Sequence, residues 1–412
     1  MRFILTIVCL ASALLVSALS SSDAQVVQKI DPSIRAAGMG DVSNGVFWEP
    51  ASASWKNPAL LGYQRGFTYE RGRTEWVTME GLWLRSDRIL LGGWGFGVLL
   101  AGRPIDGLGG TSLDDDFPSG SRPHGTPHNM GQFREDLNTL AVGVSAAEFM
   151  GHLLPRLGHS WPNVARFADI SVGVAFNNSD FSTTTPGLPD VELSTGDYGL
   201  LFRLTPYNSF DCPGMWPDFD RVLEPLVGGI RFDAAYGYSR HNYGDAAPTA
   251  DDPDWDSARA SKFLHQGGTI RFVFGGPRVL ESWLSELGGD WLAESLTPIV
   301  SFGVGWDHEE ETTATAFWTH GQPGPTRWKT KSSGWELTFA DVITLRRGDI
   351  DSRRSAFSGS TSGWGLGFKV ADYGWLRFDH ATVPMTIRPY EMTRTGFTLN
   401  LNALAIWRDM RR

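Results

Sequence analysis

Ile230-Arg231-Phe232-Asp233-Ala234-Ala235-Tyr236-Gly237-Tyr238-Ser239 puts apolar residues at the even positions and mostly small or charged residues at the odd ones. A period of two places successive side chains on opposite faces of an extended chain, so this stretch is a strand with one greasy and one polar face. The same pattern recurs from residue 65 to the C-terminus. Trp364, Leu366, Phe368 and Val370 alternate with Gly365, Gly367 and Lys369, and Phe397, Leu399 and Leu401 alternate with Thr398, Asn400 and Asn402. Leu90, Gly92, Trp94, Phe96, Val98 and Leu100 read as one face of a further strand, with Gly93, Gly95 and Gly97 on the other. A soluble sandwich also alternates, but with shorter strands and a buried apolar face. These segments run about ten residues or more, the length that crosses a bilayer when tilted.

Carried along the chain, this reading places strands at 65–72, 74–85, 88–101, 134–147, 165–177, 194–205, 227–240, 262–275, 296–309, 332–339, 342–350, 361–370, 373–384 and 393–406. Fourteen is an even number, as single-chain bacterial barrels require. With the N-terminus in the periplasm, the connections 102–133, 178–193, 241–261 and 310–331 face outward, and all are rich in Asp, Gly, Pro, Ser or Thr. Tight inward turns are expected at Ser86-Asp87, Ala340-Asp341 and Ala371-Asp372. Three inward connections are longer. Helix-like stretches in 148–164 and 276–295 suit small amphipathic helices in the periplasmic interface, and 206–226 is an irregular Pro-rich segment. The expected fold class is all-β: a transmembrane antiparallel up-and-down β-barrel of about fourteen strands with small periplasmic helices.

Residues 1–24 have the three parts of a secretory signal peptide: Arg2, an apolar core from Phe3 to Leu19, and a small-residue site at Ser22-Asp23-Ala24. Cys9 lies inside it, so the mature chain is expected to keep only Cys212 and to form no internal disulfide. Beyond the signal no run of about 18 apolar residues marks a membrane helix. The 48 glycines, 17 tryptophans and 24 phenylalanines suit a barrel, where glycine relieves crowding and aromatic rings line both interfaces. A net charge of −10 argues against nucleic acid as a partner. No linker divides the mature chain, so the sequence reads as a signal (1–24), an N-terminal segment (25–64) and a barrel (65–412).

The N-terminal segment contains Arg35-Ala36-Ala37-Gly38-Met39-Gly40-Asp41-Val42, then Phe47-Trp48-Glu49-Pro50 and Ser54-Trp55-Lys56-Asn57-Pro58-Ala59-Leu60-Leu61. Its small residues suit a confined lumen. Asn57 can cap or turn the chain, Pro58 fixes φ, and Ala59 is small enough to fit inside a barrel. Near the C-terminus, Gly334-Trp-Glu-Leu leads to Asp341-Val-Ile-Thr-Leu-Arg-Arg-Gly348, and Gly363-Trp-Gly-Leu-Gly-Phe to Trp375-Leu-Arg-Phe-Asp-His-Ala381. Together these motifs resemble the PorV/PorQ-like members of the FadL/OmpP1 superfamily of outer-membrane barrels, over residues 33–61 and 333–405. The last residues depart from a common barrel ending, closing on Trp407-Arg-Asp-Met-Arg-Arg412 instead of an aromatic residue.

The resemblance implies a plug in residues 25–64, with Arg35, Gly38, Met39, Gly40, Asn57, Pro58 and Ala59 as its motif. It implies the cell outer membrane, with lipid and lipopolysaccharide as surroundings. It also implies one of two functions. A PorV-like barrel would be a component or cargo shuttle of type IX-like secretion, with secreted proteins or secretion components as partners. A FadL-like barrel would instead take up hydrophobic small molecules.

Enzyme chemistry is not expected. The chain has no Gly-x-Ser-x-Gly elbow, no His-Glu-x-x-His and no paired Cys-x-x-Cys, and no motif calls for a cofactor or metal. The runs of alternate glycines lack the helix that a phosphate loop needs. Asp114-Asp115-Asp116 and Asp251-Asp252-Pro253-Asp254-Trp255-Asp256 read as solvated outward loops, without the glycine and terminal Glu of a calcium loop. Glu336, Arg377 and Asp379 lie on strands where charge facing lipid costs a few kcal/mol. They are therefore lumen candidates, either as an ion-pair network or as a substrate-guiding site.

Overall fold

The computed structural model describes residues 31–76, 83–107, 133–156, 167–183, 191–210, 229–243, 262–275, 299–311, 328–352, 358–370, 374–384 and 391–402. Fourteen strands form one closed antiparallel barrel, each paired with its neighbours in sequence and the first with the last. They are β1 Gly66–Trp76, β2 Trp83–Gly93, β3 Phe96–Gly107, β4 Phe133–Ser145, β5 Ala168–Thr183, β6 Val191–Asn208 and β7 Ile230–Tyr243. The second half comprises β8 Phe263–Phe274, β9 Val300–Glu311, β10 Trp328–Phe339, β11 Ile343–Ser352, β12 Gly359–Val370, β13 Gly374–Pro384 and β14 Glu391–Leu401. Register between β1 and β14 runs from Phe67 opposite Leu401 to Trp76 opposite Met392, so no sheet edge is left unpaired there.

From β4 onward the strands stand where alternation puts them, shifted by a few residues at their ends. The first hairpins differ. Ser86 and Asp87 lie inside β2, and the tight turn is Trp94-Gly95, where both residues have positive φ (57° and 76°). Two consecutive left-handed residues make the short turn that matches strand twist. That turn also reverses the facing: Leu90 is inward and fully buried, whereas Phe96 and Leu100 point outward. The alternation of Leu90 through Leu100 thus belongs to two strands. The turn at Ala340-Asp341 is as expected, again with both φ positive.

Outward positions carry large apolar side chains, among them Leu91, Val172, Phe202, Leu366 and Phe368. Trp306, Trp335 and Trp364 are also outward and exposed. A helix at Ala146–Arg156 follows β4 at the rim, beginning two residues before the 148–164 stretch read as helix-like, and Arg65 pairs with its Glu148 at 3.0 Å. Among the described residues no helix is long and apolar enough to cross a membrane. The signal peptide, Cys212, the helix-like stretch at 276–295, both acidic clusters, the Ala371-Asp372 turn and Trp407 lie outside the described residues.

The core lies inside the barrel. Residues 31–64 fold within it as two short helices, Ile34–Gly38 and Pro50–Ala53, and a 3-10 helix, Pro58–Tyr63. Apart from Asp41, Trp48 and Glu49, their described side chains are buried.

Candidate functional site

The inner segment is built by local caps. Ser33 accepts a hydrogen bond from Ala36 N at 3.1 Å and starts the first helix, while Asp31 accepts one from Ser33 N at 2.8 Å. Asn57 caps the 3-10 helix by accepting from Ala59 N at 3.1 Å, and Pro58 occupies the first helical position, where its missing N–H is no loss. The Asn57 amide donates outward to Asn44 O at 3.0 Å and Leu200 O at 3.2 Å, so the same side chain ties the turn to β6.

Against β2–β6 the segment lies on a row of inward glycines in direct register. Gly92 is opposite Gly97, Gly97 opposite Gly143, Gly143 opposite Gly173, and Gly173 opposite Gly199. A Cβ on Gly143 would stand 2.5 Å from Pro58 O, and one on Gly92, Gly97, Gly173 or Gly199 would strike the backbone or side chains of Asn57–Gln64. Backbone meets backbone here, because no side chain separates them. Gly40 makes a similar approach elsewhere: its φ is +70°, and a Cβ would stand 2.6 Å from Ser333 O. Gly40 N donates to Thr361 Oγ1 at 2.9 Å.

Against β10–β13 the contact is ionic. Glu336 lies directly opposite Arg346 across the hairpin and accepts from its Nε at 2.8 Å. Arg346 also reaches over Gly365 of β12 to Asp379 at 2.6 Å, and Arg377 Nε donates to Asp379 at 2.8 Å. Gly365 makes room for that crossing, since a Cβ there would stand 2.6 Å from Asp379. The inner segment supplies the other two members. Arg35 donates from Nε to Glu336 at 2.6 Å and pairs with Glu49, and Glu49 pairs with Arg377. Three guanidiniums and three carboxylates close a neutral ring. Trp48 leans on it, with its Nε1 3.3 Å from Glu336 and its ring 5.6 Å from the Arg35 guanidinium.

Glu336, Arg377, Asp379 and Arg35 are thus brought together. Gly38 and Met39 face the Gly334–Gly348–Gly363 patch beside them, whereas Asn57, Pro58 and Ala59 belong to the glycine row on the other side. Arg346 and Glu49 are the members that sequence reasoning does not select. Arg346 carried a usable signal, because the Ala340-Asp341 turn sets it opposite Glu336.

A second buried ion pair, Arg88 with Glu70, joins β2 to β1. On the segment itself, Lys56 Nζ is 2.6 Å from Asp41 Oδ2; burial opposes its charge, but Asp41 and Asp31 outweigh burial and hold it above the usual lysine range. Tyr63 donates to Asp169 at 2.7 Å; burial first, and Asp169 second, push its phenol up. Asp307 accepts from Ser43 N at 2.8 Å and Asn44 N at 3.0 Å. At the far side of the segment a cavity of about 20 Å³ is lined by Lys56, Asp197, His241, His265 and Glu309. Among the described residues no group of three or more His, Cys, Asp or Glu could hold a metal.

A closed cylinder that satisfies its backbone internally, turns apolar side chains outward and fills its lumen with polar groups belongs in a lipid bilayer. The chain is a multi-pass barrel of the outer-membrane type. Its architecture is similar to that of the Pseudomonas putida toluene transporter TodX (9% identity, 92% of this chain and 100% of that one, TM-score 0.45). It is also similar to the CymD monoaromatic hydrocarbon channel (8%, 92% and 99%, 0.42) and the Ralstonia pickettii toluene transporter TbuX (9%, 91% and 98%, 0.40). No protein-family model and no curated protein matches the chain.

Proposed function

We propose that this barrel is a FadL-like uptake channel for hydrophobic small molecules, with residues 31–64 as the plug that closes it. One observation carries the reading: an apolar strip of the lumen, covered by the inner segment, runs beside a short interruption of the β2–β3 ladder. Leu90, Leu99, Ala101, Ala141 and Ala175 cluster with Ala51 and Leu61 of the segment. Between β2 and β3, Trp83 pairs with Asp106 and Leu84 with Ile105, and the ladder resumes only at Asp87 with Gly102. Pro104, which has no N–H to donate, lies in that interval. Where the inner segment uncovers the strip, a hydrocarbon solute would gain about 0.8 kcal/mol per CH₂ buried there. The interruption leaves the register of β2 and β3 unchanged, and it supports a local weak point in the wall beside the strip. A PorV-like cargo shuttle would need a mouth that admits a folded tail, and the small polar cavity lends that reading no support.

The test is uptake of a radiolabelled alkylbenzene and of a long-chain fatty acid into vesicles carrying the purified barrel. Saturable uptake of at least one is expected, and Ala101→Trp, which fills the strip, should lower it. Uptake no faster than in barrel-free vesicles would overturn the proposal, and stable co-purification with a secreted protein would favour the shuttle instead.

A further inference from the structure

The cavity beside Lys56 lies near the strand ends opposite the tight turns. His241 is two residues from the end of β7, His265 two residues into β8 and Glu309 two residues from the end of β9. In single-chain barrels the short turns are periplasmic, so this space lies toward the outer face. Its two cations already have acids. Lys56 Nζ donates to Asp41 Oδ2 at 2.6 Å. His241 stands between Asp197, with Nδ1 3.2 Å from Oδ2, and the Lys56 carbonyl, 2.7 Å from Nε2. The Asn177 amide and the Asn242 N–H complete the shell of Asp197 at 2.7 and 2.8 Å.

His265 and Glu309 are placed differently. They stand directly opposite each other across the β8–β9 ladder. Among the described residues the buried Nδ1 of His265 has no hydrogen-bond partner, and Glu309 Oε2 is 3.5 Å away. The His265 ring is 5% exposed, set edge-on to His241 at 4.8 Å and near-parallel to Phe263 at 6.1 Å. A buried nitrogen without a partner is costly, and charge gives the sign of what would pair it. Asp31, Asp41, Asp307 and Glu309 all act on Lys56, and Asp197 takes His241. Against these five carboxylates stand Lys56, His241 and Arg394, which reaches the Asp31 carbonyl. Arg88 is paired with Glu70. The space therefore carries surplus negative charge.

We infer that this cavity receives the ammonium head of a primary organic amine. About 20 Å³ admits a group the size of one water. An ammonium is that size, supplies the missing charge and has three N–H donors, for Glu309, for His265 Nδ1 and for Asp31 on the same wall. Trp55 and Phe263 line the space beside them and suit the adjoining carbon. A metal ion is the poorer occupant, since among the described residues no group of three His, Cys, Asp or Glu converges to hold one. The assignment is independent of what the barrel transports.

Saturation-transfer NMR of the full chain in a neutral sugar detergent tests it, with n-butylamine, 1-butanol and butyrate as probes at neutral pH. Butylammonium should bind saturably, about tenfold or more tightly than butanol, and butyrate should not bind. Glu309→Gln, which keeps the shape and removes the charge, should weaken butylammonium about tenfold or more. Absence of saturable amine binding, equal binding of amine and alcohol, preference for butyrate, or undiminished binding by Glu309→Gln would overturn the site. If that variant loses the gel mobility of a folded barrel, His265→Phe replaces it. It keeps a ring against His241 and Phe263 and removes the acceptor, so affinity should fall; unchanged affinity would contradict the site. Binding is read without transport, so failed uptake of hydrocarbons leaves this site standing and failed amine binding leaves the channel reading standing.

Discussion

Between β2 and β6 the wall meets residues 57–64 through glycines and bare backbone, whereas between β10 and β13 a smaller glycine patch facing Gly38–Gly40 is joined by ionised side chains that hold Arg35 and Glu49. Both halves hold one segment, but they fail in different ways. The glycine row has no charge to neutralise and no space to give, so it resists changes of pH or salt and yields only to added volume. The ring keeps its contacts through charge. It therefore tolerates local adjustment but not the loss of a partner, since a buried ion left alone is costly.

The largest effect should come from Glu336→Ala, which leaves Arg35 and Arg346 without their shared acid. Breaking a buried pair in this way should cost about 3–5 kcal/mol, read from denaturant midpoints of the barrel in detergent. An unshifted midpoint would mean that the ring holds nothing. On the other half, Gly173→Val should cost about 1–3 kcal/mol, because the new side chain must displace Pro58. Gly102→Ala is its control: a Cβ there meets only Asn138 Oδ1 at 3.7 Å, and stability should hold. If the two glycine variants behaved alike, the close approach of segment and wall would be wrong. The smallest loss of stability is expected from Tyr63→Phe, at about 1 kcal/mol, above only the neutral Gly102→Ala control. Asp169 would still accept from Ser145 Oγ at 2.5 Å and Ala147 N at 2.8 Å, so no buried acid is stranded. A cost as large as that of Glu336→Ala would show that Tyr63, and not the ring, is the main tether.

Much of the fold was legible because barrel strands repeat a two-residue code that needs no partner to read. The even positions of 230–239 do point outward, and Arg377 and Asp379 do share the lumen face. The β2–β3 hairpin misled because glycines alternate on both sides of Trp94-Gly95, so the pattern runs through a turn that only backbone dihedrals reveal. The glycine row was hidden for a different reason. Gly97 and Gly143 are opposite each other only after residues 108–132 bring β3 and β4 together, and register across such a connection is not written in local sequence. The ring was half visible: its strand members have inward parity, but Glu49 sits just before the short Pro50–Ala53 helix, with no period to place it.

Single-channel conductance in planar bilayers, compared between the intact chain and one lacking residues 25–61, tests most directly whether the inner segment seals the barrel. The intact chain should stay near baseline and the deletion should open resolved, larger steps, provided both show the gel mobility of a folded barrel. Equal conductance of the two folded proteins would contradict the plug.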